Sequence, residues 1–160
     1  MNGFSTRAIH AGQEPDPTTG AVIVPIHATS TFAQDGVGGT RGGYEYSRSA
    51  NPTRTALQEC LAALEGGRHA LAFGSGMGAS DVLLRTLLRP GDHVVLPHDA
   101  YGGTFRLVDK VLVPWGVEYT PVDLADIAAL RTALRPETRV VWCETPTNPL
   151  LNVLDIDGVI

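Results

Sequence analysis

The sequence predicts an α/β domain with a mainly parallel sheet covered by helices on both sides, preceded by an irregular N-terminal arm. Three observations carry this. From Asn51 onward, short apolar segments alternate with helical patterns, the order that builds parallel sheets. His93–Pro97 is apolar at almost every position, as a strand covered on both faces must be. Eighteen Gly and eleven Pro among 160 residues supply many turns between such elements. With 43% hydrophobic and 18% charged residues, the chain can bury a real core.

Residues 1–50 read as the arm. Gly3–Gly20 is polar and turn-rich, without a regular element. Ala21–Phe32 is extended in character, with Val22, Ile23, Val24, Ile26, Thr29 and Thr31, but Pro25 argues against a central strand. Gly36–Gly43 is a flexible loop. Such a segment is either a disordered tail or an arm ordered against a partner subunit.

Residues 51–160 read as the domain. Asn51-Pro52 is a helix cap followed by Pro at the first helical position. Leu57, Cys60, Leu61 and Leu64 follow helical spacing, and Gly66-Gly67 stops that helix. His69–Phe73 reads as a first strand. Gly74–Gly78 is a tight turn into a second helix with Leu83, Leu84, Leu87 and Leu88 on its buried side, ended by Pro90-Gly91. His93–Pro97 is a second strand, Gly103–Val113 a third helix, and Val117–Val122 a third strand. Asp123 or Asp126 caps a helix carrying Ile127, Leu130 and Leu134. Arg139–Glu144 is a fourth strand. Thr145–Asn152 is a Pro-rich loop in which the X-Pro bonds are candidates for cis. Asp155–Ile160 opens a further helix, so the expectation is a piece of a longer protein.

Charge and composition exclude several classes. Twelve basic residues against seventeen acidic give a net charge of −5, unsuited to nucleic acid or anionic membrane surfaces. No apolar run approaches membrane-span length, and Met1–Ser5 lacks signal-peptide character. Cys60 and Cys143 make no disulfide scaffold and read as helix and strand core. The five histidines lack metal-ligand spacing, so no metal is expected. The expectation is a soluble, cytoplasmic protein without nucleic-acid or membrane partners.

Four motifs carry chemistry. Gly74-Ser75-Gly76-Met77-Gly78 leads into a helix, and exposed amides there bind phosphate. Gly74, Gly76 and Ala79 also fit a dinucleotide fingerprint, with Asp99 placed 25 positions on as a ribose-binding acid. A turn chosen for packing is the plainer alternative. Tyr46 and Arg48 are two apart and point the same way in an extended segment, a phenol and guanidinium clamp for phosphate. Alone, such a pair before a helix is more often surface. Tyr101 follows a strand's C-terminal end, where open α/β sheets place ligands, and offers a ring for stacking. Its alternative role is to cover a helix start. Glu144–Pro149 also follows a strand and holds Asn148 between prolines, or is simply a turn with capping residues.

The order of these motifs resembles the Cys/Met-metabolism family of pyridoxal-phosphate enzymes, the cystathionine γ-synthase and γ-lyase group. Thr6–Gly12, Pro25–Phe32, Tyr46-Ser47-Arg48 with Asn51-Pro52-Thr53, Gly74–Met77, Pro97-His98-Asp99 with Tyr101–Thr104, and Glu144–Pro149 carry the resemblance, which spans residues 6 to about 157. It implies an aspartate-aminotransferase-like fold (type I), with a large α/β domain, an N-terminal arm and a homotetramer built as a dimer of dimers. It implies pyridoxal 5′-phosphate held by Ser75, Gly76 and Met77, with Tyr46 and Arg48 reaching the neighbour's phosphate. Tyr101 is implied to stack on the ring and act beside the substrate. Glu144 and Asn148 are implied to lie next to the ring, and Glu45 and Arg106 near the substrate. The implied reaction is γ-replacement in methionine biosynthesis, joining O-succinyl- or O-acetylhomoserine to cysteine. A γ-lyase or an O-acylhomoserine sulfhydrylase is the same-fold alternative, and a nicotinamide dehydrogenase the alternative of another class. Methionine γ-lyase is disfavoured by Gly103, where that enzyme tends to have cysteine. Eleven of the twelve basic residues are Arg, and the one lysine, Lys110, reads as a surface residue. The family's Schiff-base lysine belongs to sequence beyond Asn148, so the 160-residue chain alone is expected to be inactive.

Overall fold

The computed structural model describes residues 3–160. They fall into two compact units, one running to Ala72 and the other Phe73–Ile160.

The first unit contains α1 (Phe4–His10) and α2 (Pro52–Glu65) joined by a long irregular segment. Helix α2 starts and stops as its sequence dictates. Asn51 Oδ1 accepts from Thr53 N–H at 2.9 Å, Pro52 opens the helix, and Gly66 ends it in the left-handed region at φ +67. The arm is tied to that start. Asn51 Nδ2 donates to His27 O at 3.0 Å and Ser47 Oγ at 2.9 Å, while Thr53 Oγ1 accepts from His27 N–H and donates to Pro25 O. Ala21–Phe32 forms no strand, and the segment shows only single bridges such as Thr31 with Tyr46. Helix α1 corrects the irregular reading of Gly3–Gly20. Its local signals are weak, since Gly3 gives no side-chain cap, and a tertiary contact holds it: the Arg7 guanidinium donates to Ala63 O of α2. At Gly12 the chain passes so close to α2 that a Cβ would lie 2.6 Å from Ala56 O. Leu57 and Leu61, which follow the spacing of one helix face, are exposed here.

His69–Phe73 is extended but joins no ladder among the described residues, which corrects the first strand of the sequence reading. Leu71 and Phe73 are exposed, and Ala72 N–H is satisfied instead by Gln58 Oε1 at 3.0 Å.

The second unit is a three-layer sandwich. Its sheet has the order β2-β1-β3, with β1 (His93–Pro97) central and both pairings parallel. β2 is Glu118–Val122 and β3 is Thr138–Val141. Register runs from His93 opposite Glu118 to Pro97 opposite Val122. On the other side an irregularity after His93 puts Val94 opposite Val140. All five β1 residues are buried, and successive side chains serve opposite layers. Val94 and Leu96 pack with Leu84, Leu88, Leu107, Val108, Leu112 and Val117. Val95 packs with Val122, Leu124, Leu130 and Leu154. The first layer comes from α3 (Gly76–Leu87) and α4 (Gly102–Leu107), the latter running into a π-helical turn at Val108–Leu112. The second comes from α5 (Ile127–Ala133) and the segment leading into α6 (Ile156–Val159).

Two assignments are corrected within these layers. Only Leu84 and Leu88 of the α3 leucines are buried, while Leu83 and Leu87 are exposed. Leu134 lies past the end of α5 and is exposed too, because Asp126 starts that helix by accepting from Ala128 and Ala129 N–H and the helix stops at Ala133. Asp155 caps α6 in the same manner. Both X-Pro bonds of the Pro-rich loop, Thr145-Pro146 and Asn148-Pro149, are cis.

Candidate functional site

The site is assembled at the C-terminal edge of the sheet, where the segments after β1 and β3 meet the start of α3. Ser75 is the N-cap of α3, and its Oγ accepts from Gly78 N–H at 3.0 Å. The next amides, on Gly76 and Met77, precede the first intrahelical donor, Ala79 N–H, which bonds Ser75 O at 3.1 Å, so helix geometry leaves them free for a ligand. A Cβ built on Gly74 or Gly76 meets nothing within 4 Å. The turn is thus bordered by open space at both glycines. Ser80 Oγ turns back to donate to Gly76 O at 3.1 Å and steadies the turn.

Tyr101 stands two residues after the Pro97–Asp99 corner, and Gly102 begins α4. The residue is 43% exposed. Its backbone is fixed from across the sheet, because Tyr101 N–H donates to Glu144 Oε2 at 2.7 Å. The other oxygen of Glu144 accepts from Trp142 Nε1 at 2.9 Å. Both carboxylate oxygens are thus committed, and Glu144 braces the aromatic residue. A cavity of about 490 Å³ results, lined by Ser75, Gly76, Met77, Ser80, Tyr101, Thr104 and Glu144. Of the expected cofactor residues, the structure brings Ser75, Gly76, Met77, Tyr101 and Glu144 together here. Ser80 and buried Thr104 join them. Neither was assigned a role from the sequence, although Thr104 closes the Tyr101–Thr104 motif and each stands one helical turn beyond a motif residue, Gly76 or Tyr101.

Two further candidates of the second unit do not line this cavity. Asn148 is exposed in the loop after β3 and does not line the cavity. Arg106 is exposed on α4, with its guanidinium close over Gly102. In the first unit the Arg48 guanidinium sits 4.9 Å from the Tyr46 ring centroid, a cation–π pair that matches their expected same-side orientation. Glu45 beside them is exposed. Lys110 is 75% exposed and ion-paired with Asp109 at 2.8 Å. That hydrogen bond raises its pKa, the opposite of what a neutral amine nucleophile needs. Burial pushes the Cys143 thiol up, away from reactivity.

The dinucleotide reading loses its geometry. Its fingerprint requires a strand before Gly74, and none is formed. Asp99, its ribose acid, is consumed within the protein. Asp99 Oδ2 accepts from Thr147 Oγ1 at 2.6 Å and Asn152 Nδ2 at 2.9 Å. The Thr147 hydroxyl above all, then Asn152, holds the Asp99 carboxyl below the usual range.

Comparison with known proteins agrees with this geometry. The sequence pattern of the family described as Cys/Met metabolism PLP-dependent enzyme matches residues 5–160. A cystathionine γ-synthase of Mycobacterium bovis is 64% identical over 159 residues, 99% of this chain and 41% of that protein. A cystathionine β-lyase of Lactococcus lactis subsp. cremoris is 53% identical over the same shares. Among solved structures, metB from Corynebacterium glutamicum superposes with a TM-score of 0.96 at 52% identity. A cystathionine γ-lyase from Lactobacillus plantarum, complexed with L-serine, superposes with 0.90 at 46%. Each is covered over 41% of its chain, and each covers 99% of this one. The chain thus spans about two fifths of the length of the relatives it matches. A match over nearly every residue, with the glycine turn, the aromatic wall and the loop after β3 in the expected order, places the chain in the Cys/Met metabolism family of enzymes that depend on pyridoxal 5′-phosphate.

Proposed function

We propose that the chain forms the N-terminal part of a cystathionine γ-synthase. It would join O-succinyl- or O-acetylhomoserine to cysteine by γ-replacement, in the cytoplasm. Residues 1–50 act as an arm toward a neighbouring subunit of a homotetramer, and residues 51–160 form the first part of the cofactor domain. The observation that carries the cofactor assignment is the cavity in which a helix N-terminus and an exposed aromatic ring face common space. The preference for a synthase rests on the 64% identity to the Mycobacterium bovis enzyme.

The residues present fit a phosphorylated pyridine. Space in front of Gly74 and Gly76 lets a phosphate reach the Gly76 and Met77 amides, and the α3 dipole favours its negative charge. Bound pyridoxal phosphate supplies an electron sink for charge developing on the substrate's carbons. Tyr101 covers the ring and presents its phenol beside the substrate, held in place by Glu144. Asn148, outside the lined cavity in the loop after β3, would supply a polar atom at the ring's edge. Arg48, stacked on Tyr46, offers a fixed cation to the phosphate of the neighbouring subunit, where bidentate contacts suit a guanidinium. Glu45 and Arg106 serve the substrate. Lys110, charged and paired, takes no part.

A product assay on the complete enzyme tests this. Cystathionine made from an O-acylhomoserine and cysteine is the expected result. An enzyme that only cleaves cystathionine is a lyase and refutes the synthase reading. Preference for sulfide over cysteine points to a sulfhydrylase. A purified complete protein that takes up no pyridoxal phosphate refutes the cofactor site itself.

A further inference from the structure

The segments after β1 and β3 are joined by two carboxylates that cross in opposite directions. Glu144, after β3, reaches back to the Tyr101 amide after β1. Asp99, after β1, reaches out to Thr147 and Asn152 after β3. Each carboxylate belongs to the segment that the other one grips.

The loop that Asp99 holds is closed on itself. Thr147 N–H donates to Asn152 O at 2.9 Å, and Asn152 N–H donates to Thr147 Oγ1 at 3.0 Å. Leu151 N–H bonds Thr147 O, with Leu151 at φ +57, a left-handed backbone that a leucine adopts only under constraint. Thr147, at the hub, is 1% exposed. Among the described hydrogen bonds, Asp99 alone fastens this closed loop to the β1 side. Asp99 stands two residues before Tyr101, and Thr147 stands next to Asn148.

We infer that Asp99, acting through Thr147, is a positioning residue that sets the spacing between Tyr101 and Asn148, the two residues assigned above to the cofactor ring. This rests on the proposed cofactor site. The carboxylate does not line the cavity itself. It fixes the wall opposite the phosphate cradle, which is built separately from Ser75–Met77.

The test compares Asp99→Ala, Asp99→Asn, Thr147→Val and the Asp99→Ala/Thr147→Val pair in the complete enzyme. The readouts are kcat, KM, visible circular dichroism of the bound cofactor, and competition of cofactor binding by inorganic phosphate. Asp99→Ala and Thr147→Val are expected to lower kcat on the order of tenfold to a hundredfold, as misplacement by up to about 1 Å does. KM stays within about threefold and the phosphate competition is unchanged, because the cradle is intact. The circular dichroism band shrinks as the ring loses its fixed wall. The double variant is no worse than the worse single one, since both break one link. Asp99→Asn keeps most activity, because one amide oxygen can accept from both Thr147 and Asn152. A folded Asp99→Ala enzyme with kcat and circular dichroism within twofold of the parent overturns the inference. So does Asp99→Asn failing as badly as Thr147→Val, a comparison that still decides if Asp99→Ala does not fold. A parent enzyme that binds no cofactor overturns the proposed function instead, and is seen before any variant is made.

Discussion

Replacing Gly103 with Ala should shift the Tyr101 ring while leaving the fold standing. Gly103 is buried in the first turn of α4. A Cβ there would lie 2.4 Å from Tyr101 Cε1, 3.0 Å from Cδ1 and 2.9 Å from Met77 Sδ. Ordinary carbon contacts begin near 3.4 Å, so the ring must retreat by about 3.4 − 2.4 = 1 Å. What gives way is side chain rather than backbone. Tyr101 is 43% exposed and has solvent to move into, and a thioether adapts easily. Overpacking costs about 1–3 kcal/mol, and Gly→Ala in a helix returns about 0.5–1 kcal/mol. The net loss in stability should be about 1 kcal/mol, with the movable ring favouring the lower end of the overpacking range. The larger effect falls on the cavity wall. An aromatic contact is worth about 0.5–1.5 kcal/mol, so losing it should weaken pyridoxal phosphate binding roughly two- to tenfold. The assay is denaturant unfolding together with cofactor titration of the complete enzyme, carried out for Gly103→Ala, Tyr101→Ala and the pair. Once the ring is gone, Gly103→Ala should add nothing to the loss of affinity. An undiminished affinity in Gly103→Ala, or the same added loss with and without the Tyr101 ring, would show that the ring's place does not depend on this glycine.

Two further outcomes follow from single contacts. Ser75→Ala removes the acceptor for Gly78 N–H and should cost about 1 kcal/mol of stability, read as a lower denaturant midpoint at unchanged slope. His93 is 1% exposed, its two ring nitrogens hydrogen-bonded at 2.8 Å to Thr138 Oγ1 and Thr120 Oγ1. Burial chiefly lowers its pKa, Arg135 adds to this, and Glu118 and Glu137 oppose it. The folded pKa therefore lies below the unfolded value of about 6.5, so the unfolded chain takes the proton first. Stability should be level in this group above pH 7 and fall as the pH drops below about 6.5. Unfolding midpoints from pH 8 to pH 5 check this, and a parent curve that rises toward pH 5 would refute it.

Local signals in the sequence were legible where the physics is local. Asn51 with Pro52, Gly66, Ser75, Asp126 and Asp155 start or stop helices by bonds or dihedrals within a few residues of themselves. The apolar run His93–Pro97 could be satisfied only by cover on both faces, and it became the central strand. The glycine turn into α3 was legible as a capped helix start with free amides, because the cap and the missing side chains are properties of that segment alone. Helix α1 was not legible, because it depends on Arg7 reaching a carbonyl 56 positions away. His69–Phe73 had strand composition, but composition does not supply a neighbour to pair with. In α3 the periodic rule admitted four leucines, and packing chose Leu84 and Leu88 by where the sheet lies.

The amino-acid sequence by itself determined the family, the parallel α/β class, the helix caps and the phosphate-ready turn, since each is written in short-range chemistry or in motif order. Tertiary structure alone decided what stands opposite that turn. Tyr101 meets Glu144 across 43 positions and Asp99 meets Thr147 across 48, with β2 lying between β1 and β3 in the chain but not in the sheet. Only the strand order β2-β1-β3 brings those two loop ends together, because a parallel sheet sets side by side the C-terminal ends of strands that the sequence keeps apart.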